Sequence, residues 1–486
     1  MLEGLLLLRW WMLRIFESER MNYQQNTSRG PTMIQRTTMM MVTLLMMICS
    51  GVDGMGQETW VKTYGGSGHD EPYSSILSMS GHIYVTGCTE SNDGDFIQTN
   101  RGLSDVFIIK TDRDGTVLWK KTFGGTSREW GISMTSTNDD GIILTGYTES
   151  NDGDFSGLTK GQGDIFVIKL DNTGNVKWTK IFGGSEYDWG RAILSLPDGS
   201  VIVSGETRSN DGDFRGLNKG GTDVFVMKLD PTGQLLWKET LGGKQGDWAR
   251  SMTIVSNREF LLTGYTESND GDFNEMSNGN WDIFVVRLDD NGRVLWRKTL
   301  GGTTDEKSRS ICDMSDRTHV IVGDIEIKGR VSNTQDYGDK DVLITKVDTV
   351  GSEVWTKKFG GMYDDYGVSV CSSSDDGVIL TGSTLSNDQV FSGLDKRSTF
   401  RRILGIRGGE DVFLVKLDSK GRIVWKQTFG GTYTDLGKTV LTTSEGGILL
   451  IGCTDSDDCD FNNIDKGGQD IFIMKLDRDG NLTSKK

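Results

Sequence analysis

The chain has 486 residues, 65 of them glycine, and its 35% hydrophobic content supplies enough apolar surface to bury a core. Its 53 Lys and Arg against 69 Asp and Glu give a net charge of -16, which repels phosphate backbones and excludes nucleic acid as a natural partner. With 3 histidines (His69, His82 and His319), few groups are available for acid-base work at neutral pH.

Taken from the amino end, Met33 to Cys49 reads MIQRTTMMMVTLLMMIC, a basic start and an apolar run of 11 residues, followed by SGVDGMG. That is the order of a secretory signal, and the run is too short to span a bilayer comfortably. Residues 1–56 are therefore expected to be a leader with its signal at about 33–51. The mature chain is expected to be secreted or displayed at the cell surface, without a transmembrane span. Cys49 as a lipid-anchor cysteine is the alternative, but Ile48 stands where such signals prefer a small residue.

From Trp60 onward one frame recurs, opening at Trp60, Trp119, Trp178, Trp237, Trp296, Trp355 and Trp425. The interval is 59 residues five times and 70 once, the excess being an 11-residue insert, Arg397 to Arg407 (RSTFRRILGIR), in the sixth copy. Tolerated loop growth explains the insert, and a partner-contact finger is the alternative. Self-similarity at a fixed period has to be settled before any other fold assignment.

Within the unit from Trp119 to Lys177, Asp164–Leu170 (DIFVIKL) and Gly141–Tyr147 (GIILTGY) are apolar runs without alternation, as strands covered on both faces require. A strand from Trp130 precedes them. The turn DNTG at 171–174 joins DIFVIKL to the next tryptophan strand as a hairpin. Four short antiparallel strands per copy make a propeller blade. We name them A (after the Gly-Gly step), B (GIILTGY), C (DIFVIKL) and D (the tryptophan strand). Residues 57–486 are thus predicted to form an all-β, seven-bladed β-propeller of four-stranded antiparallel blades. The last copy runs out before a tryptophan, so the strand around Trp60 is expected to complete it and close the ring. Each repeat tryptophan should then lie over the adjoining blade.

Six cysteines do not form a disulfide framework. Cys88 and Cys453 share one repeat phase and Cys312 and Cys371 another, as small buried residues would. Cys453 and Cys459 are the pair near enough in sequence to bridge.

Three polar signals recur. Gly-Gly follows every tryptophan, where it is expected to reach backbone angles that side chains forbid. An acid stands ten residues after each tryptophan (Asp70, Glu129, Asp188, Asp247, Glu306, Asp365 and Asp435), and another aspartate introduces each strand C. The B-to-C loops carry T-x-S-N-D-G-D-F, with Asp93 and Asp95, Asp152 and Asp154, Asp211 and Asp213, Asp270 and Asp272, and in the last copy Asp458 and Asp460. In a meander the D-to-A and B-to-C connections emerge on one face, so these carboxylates should gather there. Oxygen-rich loops of this kind suit Ca²⁺, and those ten aspartates are the candidate ligands. Asx turns that accept backbone N–H groups are the alternative.

Trp130, Trp189 and Trp248 share a phase near the start of strand A, where the other copies carry Glu71, Lys307, Tyr366 and Leu436. Tryptophans gathered on one side of the ring can stack on sugars, and this asymmetry marks them as candidate ligand-binding residues.

The pattern W-K-x-F-G-G, D-G-x-x-x-T-G-x-T-x-S-N-D-G-D-F and D-I-F-V-I-K-L-D-x-x-G-x-V-x-W closely resembles the repeats of secreted and cell-surface β-propeller proteins of bacteria, often called SBBP-type. Its hairpin also looks like the tryptophan-docking element of quinoprotein propellers, without their vicinal cysteine pair. The resemblance covers residues 57–484 and implies export and a propeller, not a reaction. The expected role is that of a non-catalytic, monomeric binding or scaffold propeller, taking a glycan or a protein on its acidic loop face with possible help from calcium. The alternative is a polysaccharide-active glycoside hydrolase or lyase, but near-identical aspartates around the ring single out no catalytic pair.

Overall fold

The computed structural model describes residues 58–482 except 98, 257, 275–280, 328–339, 393–408 and 462–465. The leader, its signal and the insert at 397–407 lie outside the described residues.

Blade two shows how the residues make the fold. Strand A is Glu129–Ser136, B is Ile142–Thr148, C is Asp164–Leu170 and D is Val176–Phe182. B is buried at every position and C at all but one, because neighbouring blades cover both of their faces. D is mostly exposed or half-buried. Seven such sheets recur, each ordered A-B-C-D and antiparallel. B pairs with C without a register shift from Ile142↔Leu170 to Thr148↔Asp164. Strand A carries a bulge between Gly131 and Ser133, and an equivalent irregularity recurs at Gly190/Ala192 and Ala249/Ser251. Bulges of this kind re-aim side chains near one end of a strand.

The A strands adjoin one another around the axis. Ile193 N–H donates to Ser133 Oγ at 3.3 Å, Ile311 N–H to Ser251 Oγ at 3.3 Å and Val370 N–H to Ser310 Oγ at 3.4 Å. The first and last blades meet through two side-chain hydroxyls instead, with Ser75 Oγ 2.7 Å from Thr439 Oγ1. Between blades the core is shared. Val106, Ile108 and Phe123 of blade one pack with Met134, Leu144, Phe155 and Phe166 of blade two. Each such side chain contributes on the order of 1.5–3 kcal/mol through burial.

Closure follows the expectation. Blade seven takes A (Asp435–Thr442), B (Ile448–Thr454) and C (Asp470–Leu476) from the carboxyl end and D (Trp60–Tyr64) from the amino end. The register runs from Trp60↔Lys475 to Tyr64↔Ile471. The outer tryptophans reach across blades: Trp119, Trp178 and Trp237 donate their indole N–H to the carbonyls of Asn172, Pro231 and Asp290 at 3.2, 3.1 and 3.0 Å. Each ring lies against the turn glycine of that hairpin, such as Gly174 with φ +82° against Trp119. Trp60 on Gly115 and Trp425 on Gly480 carry the same contact across the seam. Among the described residues no disulfide joins Cys453 to Cys459.

Candidate functional site

The loop motif T-x-S-N-D-G-D-F is first an anchor for the Gly-Gly step. In blade three, Thr207 and Ser209 donate hydroxyls to Asp188 at 2.5 and 2.8 Å, and Gly184 N–H donates to the same carboxylate at 2.8 Å. Asp211 accepts Ser185 N–H at 2.8 Å and Asp213 accepts Gly183 N–H at 2.9 Å. The closing phenylalanine is buried, as at Phe155, Phe214 and Phe273. The Gly-Gly glycines do not adopt the left-handed φ expected from sequence. Close approach is the reason instead: a Cβ on Gly183 would collide with Asp164 Oδ1 and lie 3.0 Å from Asp188 Oδ2.

The candidate calcium ligands sit on one face, each loop in its own blade. Asp93, Asp152, Asp270 and Asp458 accept the backbone N–H of Ser67, Thr126, Lys244 and Thr432 at 2.7–2.8 Å. Asp95, Asp154, Asp272 and Asp460 accept that of Gly65, Gly124, Gly242 and Gly430 at 3.0–3.1 Å. A cation from the preceding blade already sits on four of the second aspartates: Lys466 on Asp95, Arg101 on Asp154 at 2.8 Å, Lys160 on Asp213 and Lys219 on Asp272. Among the described residues no group of three or more His, Cys, Asp or Glu gathers as a metal site would need.

Below these loops lies a ring of buried acid pairs, each made by the aspartate that opens strand C and the acid that opens strand A of the next blade. Burial first, then repulsion from Asp188, pushes Asp164 up to about 6. Burial is the first cause for Asp105 as well, with Glu129 adding to it, and Asp105 is pushed up to about 7. Asp365 and Asp435 are also raised to about 7 by burial, with Asp341 and Asp411 as their acidic neighbours. The gathering of these acids on one face was expected from sequence; their burial and their pairing across blades were not.

The three tryptophans fall into two ring clusters, Trp130 with Trp189 in one and Trp248 in the other. Trp130 and Trp189 are 5.3 Å apart, Tyr147 stacks on Trp189 at 4.2 Å and 16°, and Trp248 stacks on Tyr265 at 5.1 Å. Trp281 closes on both, 5.9 Å from Trp248 and 5.7 Å from Tyr265. The cross-strand pairs Trp130↔Tyr147 and Trp248↔Tyr265 explain why strand B supplies the tyrosines. All three tryptophans are half-buried on the innermost strands, at the end where the D-to-A and B-to-C loops emerge.

What sequence reasoning missed stands two residues further along strand A. The phase that holds Ile132 in blade two holds Arg191, Arg250 and Arg309 in blades three to five and Lys438 in blade seven. The guanidinium of Arg191 lies over Trp189 at 4.4 Å and that of Arg250 over Tyr265 at 4.8 Å, while Lys307 lies over Trp281 at 3.0 Å. Arg191 pairs with Glu206 at 2.6 Å, Arg309 with Asp324 at 2.9 Å and Lys438 with Glu71 at 2.6 Å. Beside the acidic loops, the inner strands therefore carry aromatic rings with arginines and lysines packed on them. Comparing every strand-A phase across the copies, rather than the tryptophan phase alone, is the signal that finds it.

Fold and site together define a closed seven-bladed propeller with one asymmetric aromatic sector. No family model matches the chain. It is 24% identical over 270 residues to "Regulatory protein FlaEY" of Caulobacter vibrioides, covering 50% of this chain and 28% of that protein. It is 20% identical over 436 residues to an uncharacterized WD repeat-containing protein of Acanthamoeba polyphaga mimivirus, covering 70% of this chain and 31% of that one. The chain thus spans less than a third of these curated relatives. Similar solved structures include the Pan2 WD40 domain of Neurospora crassa, at 10% identity and TM-score 0.43, covering 85% of this chain and 91% of that one. A GH93 α-L-arabinofuranosidase of Fusarium graminearum with arabinobiose matches at 10% identity and TM-score 0.41, covering 71% and 92%. At these scores the likenesses add nothing to what strand pairing already establishes.

Proposed function

We propose that this protein is an exported, non-catalytic binding propeller that takes a glycan at the aromatic sector of its inner strands. The observation that carries the reading is the break in sevenfold symmetry. Trp130, Trp189, Trp248 and Trp281 gather in blades two to four, whereas blades one and seven place Glu71 and Leu436 at the tryptophan phase. A purely structural role would be served alike in every copy, and aromatic rings beside polar groups suit the two faces of a sugar. Trp189 offers an edge, because Tyr147 and Arg191 both lie over its ring. Trp130 and Trp248 are the contacts we assign to the ligand. The buried carboxylates Glu206 and Asp324 are each paired to an arginine, which supports a binding role over a hydrolytic one. Export is supported by the residue order of the leader.

A glycan-array screen of the wild type and of Trp130→Ala and Trp248→Ala, with and without EDTA, tests the reading. Glycan retention by the wild type and its loss in the variants supports it. Turnover of a polysaccharide, or retention unaffected by both substitutions, contradicts it. Loss of retention on chelation assigns calcium a part in binding.

A further inference from the structure

Arg250 is the least compensated of the three arginines in the sector. Its side chain is 18% exposed, and the carboxylate it faces, Glu206, lies 3.8 Å away and is already bound at 2.6 Å by Arg191. Its own donors go to neutral oxygens, the carbonyl of Ala249 at 2.9 Å and the hydroxyl of Tyr265 at 2.5 Å. Burial works against its charge, Glu206 and Tyr265 offset part of that, and Arg191 and Arg309 in the flanking blades add to it. A buried guanidinium without a carboxylate of its own costs several kcal/mol, and the surroundings tolerate it where an anion completes the set. The sector as a whole points the same way. Three arginines, Arg191, Arg250 and Arg309, share two carboxylates, Glu206 and Asp324, while Lys307 lies beside Asp305 and Glu267. The deeply buried Glu206, at 4% exposure, keeps one oxygen without a partner beside this cluster.

We infer that the sugar bound at this sector is acidic: a uronic-acid residue whose carboxylate is received by the fork of Arg250 between Arg191 and Arg309. This rests on the glycan reading above and deepens it. A planar guanidinium binds a carboxylate through two parallel N–H donors. The aromatic rings beside it supply the surface for the apolar face of the sugar.

The test is calorimetric titration of the whole protein with oligomers of polygalacturonate, alginate and glucuronan, each beside its carboxyl-reduced counterpart. These pairs share a backbone and differ in charge. At least one acid form is expected to bind about tenfold tighter than its reduced form, the scale of a single well-formed charged contact. Arg250→Gln should remove that difference, and Arg250→Lys should restore it only in part. Equal affinity of acid and reduced forms overturns the inference and leaves the glycan reading standing. An acid preference that survives Arg250→Gln overturns the assignment to this cluster. Absence of binding to every acid and neutral form overturns both. The wild-type comparison needs no variant, so a substitution that impairs folding does not remove the test.

Discussion

Asp164, at the head of strand C in blade two, and Asp188, at the head of strand A in blade three, close on the same glycine, Gly183. Neither carboxylate is exposed. The same meeting of acids recurs around the ring, with Asp105 and Glu129 as the pair before it and Asp223 and Asp247 as the pair after it. The blades are thus joined at one level by paired acids rather than by opposite charges.

Stability should therefore fall as pH rises. An aspartate in the unfolded chain ionises near 3.8, while Asp164 in the fold holds its proton to about 6 and Asp105 to about 7. Below about pH 4 both states are protonated and the acids cost nothing. Between about 4 and 7 the unfolded chain gains from ionising and the fold does not, so stability is lost across that window and levels above it. Thermal unfolding should show a higher midpoint at pH 5 than at pH 8. Asp164→Asn together with Asp105→Asn should flatten the slope. A midpoint that rises from pH 5 to pH 8 contradicts this account.

Gly183→Ala should cost about 3 kcal/mol, the upper range for overpacking, because the methyl meets Asp164. Gly157→Ala, with φ +70° but nothing within 4 Å, should cost about 1 kcal/mol from backbone strain alone. Urea unfolding of both variants checks the order. Equal costs would remove close approach as the reason for the Gly-Gly step.

Deletion of residues 57–66 should open the ring, since it removes the strand paired with Asp470–Leu476 and the Trp60 contact on Gly115. Limited proteolysis should then cut first in the last blade, and the exposed edge should drive association visible by light scattering. A variant as resistant and as monodisperse as the intact chain contradicts the closure.

The interblade clasps predict a graded pair. Lys160→Met removes one partly exposed ion pair with Asp213 and should cost about 0.2–1 kcal/mol. Asp213→Ala also strips the acceptor from the buried Gly183 N–H and should cost more, about 1–3 kcal/mol. Denaturant midpoints of the two variants report the difference, and a larger loss for Lys160→Met would reverse the assignment.

The fold was legible because its signals are local and repeated. A run such as DIFVIKL has one way to be buried on both faces, and the missing tryptophan at one end matches the spare one at Trp60. The aspartate loops were harder. Asp152 and Asp154 look alike whether they hold a metal or the backbone of Thr126 and Gly124, and that choice depends on which blade's N–H groups arrive beside them. The cations of the inner strands were hidden for a different reason. Arg191, Arg250 and Arg309 are diluted in a strongly acidic composition, and only the curvature of the ring brings them side by side. Trp281 stands at a phase where other copies carry Ser104, Gly163 and Thr222, so periodicity gave no reason to single it out.

The central claim is that the aromatic sector of blades two to four is a binding surface and not merely a packed wall. The most direct measurement is calorimetric binding of a glycan identified on the array, compared between the wild type and the double variant Trp130→Ala with Trp248→Ala, with thermal midpoints recorded in the same buffer. Loss of at least about a hundredfold in affinity, with the double variant still folded and cooperative, is the predicted result, two stacked rings being worth about 1.5 kcal/mol each. Undiminished affinity in a folded double variant would contradict it.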